Sequence, residues 1–248
     1  MLLIACTNNK QPFDTSTKWN SELVELLSAS SSGQAKQQTT QVIQGQAMLR
    51  LYEFSSSGNC YKVRLLLTQL GIPFERVEVN ILQGESRTPE FIDKNLNGRI
   101  PVLEIEPGKF LAESNAILFY LSENTQFLPN DSWEKAQVLQ WLFFEQYSHE
   151  PYIATSRFWI SVLGKADEYR DAINQKREPG YAALTVMETH LTTHSFFVSE
   201  RYTIADIGLF AYTHVADEGG FDLERFPAIQ AWLERVKAQP QYVSITQS

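Results

Sequence analysis

With two cysteines and four histidines in 248 residues, the chain has little material for a disulfide framework or a zinc cage. Such sparse cysteine fits a reducing compartment, and a cytoplasmic location is expected. His149, His190, His194 and His214 have no metal-ligand spacing with cysteines or carboxylates, so no metal is expected. Basic residues are also few: 21 Lys and Arg stand against 29 Asp and Glu, a formal net charge of −8. That balance excludes a global basic field for nucleic acid or an anionic membrane surface. An anionic ligand would need a local positive site, such as a helix N-terminus. No segment approaches the ~18 apolar residues of a membrane span. At the N-terminus, Leu3-Ile4-Ala5-Cys6 has the shape of a lipoprotein cleavage box. Its apolar run is only Leu2 to Ala5, with no basic residue before it, and a working signal needs roughly 7–15 apolar residues. Lipidation is therefore not expected.

The chain does have apolar content, 43% of residues, enough for one large core or two modest ones. It is unevenly distributed. Ser28 to Gln46 is mostly Ser, Gln, Thr, Gly and Ala without apolar periodicity, and cannot easily offset its ordering entropy. Residues 1–47 therefore read as a disordered or non-native leader, with one short helix conceivable from Trp19 to Leu27. Met48 directly precedes the first strand, which leaves two readings: a genuine extension, or a misassigned translation start.

From Met48 the pattern sharpens. Leu49 to Phe54 alternates as a half-buried strand does, and Ser55-Ser56-Ser57-Gly58 is a turn. Val63, Leu66, Leu67 and Leu70 recur at helical spacing, with Gly71 placed as a C′ residue. Phe74 to Val79 is a second strand, which makes a βαβ unit and a parallel pair. Thr88-Pro89 opens a short helix. Pro101 to Ile105, Pro107-Gly108 and Lys109 to Leu111 form a hairpin, and Glu113-Ser114 opens a helix running to about Glu123. The order is β-α-β-α-β-β-α.

Residues 125–132 read as a linker, and no convincing strand follows. Trp133 to Leu163 is an aromatic-rich helical region with Pro151 as its breaking point. Lys165 to His194 is a second region, in which Pro179 begins a new helix or kinks one. Thr203-Ile204-Ala205-Asp206 is a capping box, and Pro227 to Gln239 is the last helix. The expected fold is an α/β N-terminal thioredoxin-like domain at 48–124 and an all-α helical bundle at 133–248.

This arrangement resembles the cytosolic glutathione S-transferases. Tyr52 to Arg64 is similar to the strand–turn–helix carrying the catalytic hydroxyl, and Asn97 to Val102 to the cis-proline loop. Glu113-Ser114 is similar to the acidic-Ser pair that binds the γ-glutamyl group, and Thr203 to Asp206 to the capping box of the helical domain. The resemblance covers about Met48 to Tyr242. The resemblance implies glutathione as co-substrate, a small electrophile as second substrate, and a homodimer.

It further implies roles for particular residues. Ser57 falls where serine-type members carry their hydroxyl, with Ser55 and Ser56 as neighbouring alternatives and Asn59 as a second donor. Ile100, at a cis Ile100-Pro101 bond, would pair with the cysteinyl residue; Arg99 would reach the glycine carboxylate; Glu113 and Ser114 would hold the γ-glutamyl group. His149, Tyr152 and Arg157 are candidates for the electrophile site. Cys60 is an alternative redox residue, since a cysteine in a first helical turn can have a lowered pKa.

The chemistry needs little more. Bringing a thiol with a pKa of ~8.5 into play near pH 7 takes about 1.4–3 kcal/mol of thiolate stabilisation. A hydroxyl donating to the sulfur supplies ~1.5–3 kcal/mol and a helix N-terminus ~0.3–1 kcal/mol. The leading expectation is conjugation of glutathione to small electrophiles. The alternatives are glutathione-dependent peroxide or disulfide reduction, and a non-enzymatic binding or stress-response module on the same fold.

Overall fold

Residues 48–247 are described by the computed structural model, so the expected leader and its short helix lie outside the described residues. β1 (Leu49–Glu53) sends Leu49 and Leu51 into the main core. Tyr52, on its other face, packs with Val79, Phe91 and Val102. α1 (Gly58–Gln69) starts at Ser57, whose Oγ accepts the Cys60 N–H at 3.4 Å, and Gly71 follows its end at φ +67°. β2 (Phe74–Glu78) returns parallel to β1. Two short 3-10 turns, Ile81–Gln83 and Glu85–Arg87, fill a stretch in which the sequence shows no element. The Asn80 side chain caps the first by accepting from Leu82 and Gln83. α2 (Pro89–Ile92) is capped by Thr88.

The Ile100–Pro101 peptide is cis. β3 (Val102–Glu106) and β4 (Lys109–Ala112) complete a four-stranded sheet of order β2-β1-β3-β4, with β1–β3 and β3–β4 antiparallel. α3 (Ser114–Ser122) closes this part of the chain. The fold is thus a mixed sheet with helices, followed by a helical region.

α4 (Ser132–Phe144) and α5 (Glu150–Arg157) are joined by a π-helical turn, Glu145–His149, and a second π turn, Phe158–Val162, follows α5. Helical backbone therefore runs past Pro151, where the sequence suggests a break. The wide turn just before it relieves the clash between the proline ring and the preceding carbonyls. α6 (Arg170–Leu191) likewise carries Pro179 within one helix. Among the described residues no helix is long and apolar enough to cross a membrane.

α7 (Ile204–Thr213) is buried along its whole length. Its capping box is present: Asp206 accepts from the Thr203 N–H at 2.9 Å, and Thr203 Oγ accepts from Ala205 at 3.3 Å. Asp206 also takes the Phe197 N–H at 3.2 Å and Trp232 Nε1–H at 3.0 Å, so it ties α7 to α8 (Pro227–Lys237). Burial pushes its carboxyl up to about 6 despite these donors.

Two imidazoles are held neutral inside. Thr213 Oγ donates to the Leu209 carbonyl, so His149 Nε2 is the donor in its 2.9 Å bond to Thr213, and its Nδ1 lone pair is buried without a partner. Burial lowers its pKa from the usual 6.5 to about 3, and that of His214 to about 4. At these two sites the unfolded chain therefore binds more protons than the folded one below about pH 6.5. Each histidine's contribution to stability is whole above that pH and is withdrawn by about 1.4 kcal/mol per unit as pH falls. The gap in unfolding free energy between wild type and His149→Gln should therefore shrink from pH 7 to pH 5, read by urea titration; a constant gap would mean that His149 takes up protons freely in the folded state.

Candidate functional site

A cavity of about 440 Å³ opens beside the first turn of α1. Ser56, Ser57 and Asn59 line one wall; Arg87, Gly98, Arg99 and Ile100 line a second; Glu150, Ala154, Arg157 and Phe158 line the third.

The turn between β1 and α1 is held in place from behind. Buried Arg64 pairs with Glu53 at 2.9 Å and donates to the Ser55 carbonyl at 3.2 Å. Arg157 NH1 donates to the Ser56 carbonyl at 2.7 Å, while its Nε pairs with Glu218 at 2.7 Å. Ser55 Oγ donates to Glu78 at 2.7 Å and does not line the cavity, which removes it as a candidate hydroxyl. Ser57 does line it. Its oxygen accepts the Cys60 N–H, so its own proton remains to be donated. Gly58 sits against Tyr212: a Cβ there would lie 2.5 Å from the ring, so only glycine permits this approach. The Tyr212 hydroxyl accepts the Asn59 N–H at 3.3 Å, and burial pushes its pKa up, keeping it protonated.

Asn59 joins the cavity to α3. It accepts from Ser114 Oγ at 3.2 Å and donates from Nδ2 to Glu150 at 2.9 Å. Ser114 is buried at the start of α3 and reaches the cavity only through Asn59. Glu113 precedes it, exposed and outside the cavity lining, at φ +68°, a conformation that non-glycine residues hold only when their surroundings enforce it.

Three expected site residues are placed elsewhere. Cys60 is fully buried, and burial pushes its thiol up to about 12, so it offers no thiolate at neutral pH and the redox alternative for it falls. His149 is fully buried on Thr213. Tyr152 packs under Lys176, whose Nζ lies 5.6 Å from its ring centroid, and does not line the cavity. The reason is helical phase. Glu150, Ala154 and Arg157 share one face of α5, so positions 149 and 152 face other ways. Of the three electrophile-site candidates, His149, Tyr152 and Arg157, only Arg157 lines the cavity.

Lys62, Glu145, Glu150 and Tyr212 go unmarked in the sequence reading. The apolar spacing of α1 gives no sign that Lys62 is buried, at 0% exposure. Among the described residues no three His, Cys, Asp or Glu side chains gather as a metal site would require.

Residues 47–123 match the family model for the glutathione S-transferase N-terminal domain, and residues 139–240 that for the C-terminal domain. A solved structure of a glutathione S-transferase from Pseudomonas fluorescens Pf-5 is 51% identical, covering 81% of this chain and 100% of that one, with a TM-score of 0.79. A glutathione transferase from Pseudomonas putida, solved with one glutathione disulfide bound per subunit, is 28% identical, covering 78% of this chain and 88% of that one, with a TM-score of 0.68. The disulfide-bond oxidoreductase YfcG of Escherichia coli is 28% identical over 200 residues, 78% of this chain and 92% of that protein.

Proposed function

The chain belongs to the glutathione S-transferase family, and from that premise we propose that it binds glutathione in the 440 Å³ cavity and delivers its thiolate to a small electrophile. The observation that carries this reading is the meeting of Ser57, Asn59, Arg99 and Ile100 on that one cavity. Ser57 donates its free proton to the sulfur at the N-terminal end of α1, where the helix dipole adds to thiolate stabilisation. Ile100 pairs by its backbone with the cysteinyl residue, and Arg99 takes the glycine carboxylate. The γ-glutamyl end lies toward the start of α3, where Glu113 is exposed and Ser114 stands behind Asn59, both outside the cavity lining. Arg157 and Phe158 stand on the electrophile's side of the cavity.

A second reading, reduction of glutathione-containing disulfides, is favoured by the cations Arg87, Arg99 and Arg157 on the cavity walls, which suit an anionic disulfide. It requires a glutathione thiolate as the attacking sulfur, since Cys60 is unavailable. Retention on immobilised glutathione, followed by turnover with a neutral aryl halide and with a glutathione mixed disulfide, tests both. Conjugation without disulfide reduction supports the first reading, and the reverse supports the second. Failure to bind glutathione would leave a non-enzymatic module on the fold.

A cytoplasmic homodimer completes the proposal. Phe143 and Tyr147 are 69% and 83% exposed near the end of α4, an apolar surface suited to a second copy. Phe143→Glu is expected to shift the sedimenting species from dimer to monomer at micromolar concentration; an unchanged dimer would place the interface elsewhere.

A further inference from the structure

Lys62 is a fully buried cation with a fully buried partner, Glu145, at 2.9 Å. Such a pair seldom stabilises a fold better than apolar residues of similar size would. Its connections suggest another use. An ammonium has three N–H groups and can only donate. Those three meet Glu145 Oε2 at 2.9 Å, Ser114 Oγ at 3.4 Å and Asn115 Oδ1 at 3.4 Å. Asn115 Nδ2 in turn donates to Glu145 Oε2 at 3.0 Å, which holds the carboxylate against the ammonium.

The consequence runs outward one proton at a time. Ser114 Oγ accepts from Lys62, so its own proton goes to Asn59 Oδ1 at 3.2 Å. With Oδ1 accepting there, the Asn59 amide group is turned so that Nδ2 donates to Glu150 Oε1 at 2.9 Å. Asn59 and Glu150 both line the cavity, Ser114 and Lys62 do not. The Glu150 carboxylate can only accept, so it too holds Nδ2 on its side of the amide. Without the ammonium, the Ser114 hydroxyl is free to rotate away from Oδ1, and Glu150 is left as the one side chain that orients the amide.

We propose that Lys62, clamped by Glu145, is a positioning residue that sets the proton directions through Ser114 to Asn59 and commits the Asn59 amide as a donor on the cavity side. This rests on the reading of the cavity as a glutathione site, and assigns Asn59 its share in holding the thiolate. Lys62 touches neither substrate nor sulfur.

The test replaces both charges together, Lys62→Met with Glu145→Leu, so that no unpaired charge is left buried. The pKa of enzyme-bound glutathione, read from thiolate absorbance against pH, is expected to rise by about one unit, which leaves roughly three- to eightfold less thiolate at pH 7. Asn59→Ala made in that background is expected to add no further rise, although it raises the pKa in the wild type. Should the double variant fail to fold, Ser114→Ala breaks the same relay with the ion pair intact, and its effect and that of Asn59→Ala are expected not to add. A bound thiol unchanged in a folded Lys62→Met/Glu145→Leu protein, or additive effects of the Ser114 and Asn59 variants, would overturn the positioning role alone. A wild type that never lowers the thiol pKa would overturn the glutathione reading itself.

Discussion

Ser57→Ala is expected to slow conjugation at pH 7 by roughly 10- to 100-fold, the rate equivalent of losing about 1.5–3 kcal/mol from a hydrogen bond to a charged sulfur. Ser57 has two roles that must be separated. Its oxygen caps α1 by accepting the Cys60 N–H at 3.4 Å, and its hydroxyl lines the cavity with the proton left to donate. Loss of the cap costs about 1 kcal/mol of stability and would lower activity equally at all pH values. Loss of the thiolate donor acts through ionisation, so the deficit should close as pH rises past the pKa of free glutathione. The pH–rate profile of the variant distinguishes the two. A deficit that stays constant from pH 7 to pH 10 would confine Ser57 to its capping role and shift attention to Ser56 and Asn59, which line the same wall.

Asp206→Ala is expected to be the most damaging single change for stability, at about 3–5 kcal/mol. The side chain is fully buried, and its removal strands donors from three places: Thr203, Phe197 and Trp232. Trp232 and Phe197 belong to the main core, so a rearrangement that satisfied these donors would also disturb its packing. Against the 5–15 kcal/mol typical of a domain, this is a large fraction. Asp206→Asn keeps one acceptor oxygen and is expected to cost less. Urea unfolding at pH 7 measures both; a loss below about 1 kcal/mol for Asp206→Ala would mean that water or other acceptors replace the carboxylate.

Much of this fold was legible in the sequence because its local signals agree with one another. Thr88, Thr203 and Ser57 cap the helices they precede, and the alternation of Leu49 to Phe54 marks the central strand. The prolines misled because their effect depends on neighbours: the π turn before Pro151 and the long helix around Pro179 are tertiary outcomes. The cavity was half legible. Motif spacing brings out Ser57, Asn59, Arg99 and Ile100, which lie on neighbouring loops and turns. The wall from α5 depends on the phase of a helix preceded by a π turn, and a shift of one residue exchanges His149 for Glu150. Lys62 and Glu145 were illegible for a different reason. Each is an ordinary charged residue in a helical segment, and only the packing of α1 and of the π turn after α4 on α7 brings them together at zero exposure.

The most direct test is the pKa of the thiol of glutathione bound to the wild-type protein, titrated by thiolate absorbance. A value one to two units below that of free glutathione is expected, matching about 1.4–3 kcal/mol of preferential thiolate binding by Ser57, Asn59 and the start of α1. Glutathione that binds with its free pKa, or does not bind, would contradict the assignment of this cavity as a site of thiol activation.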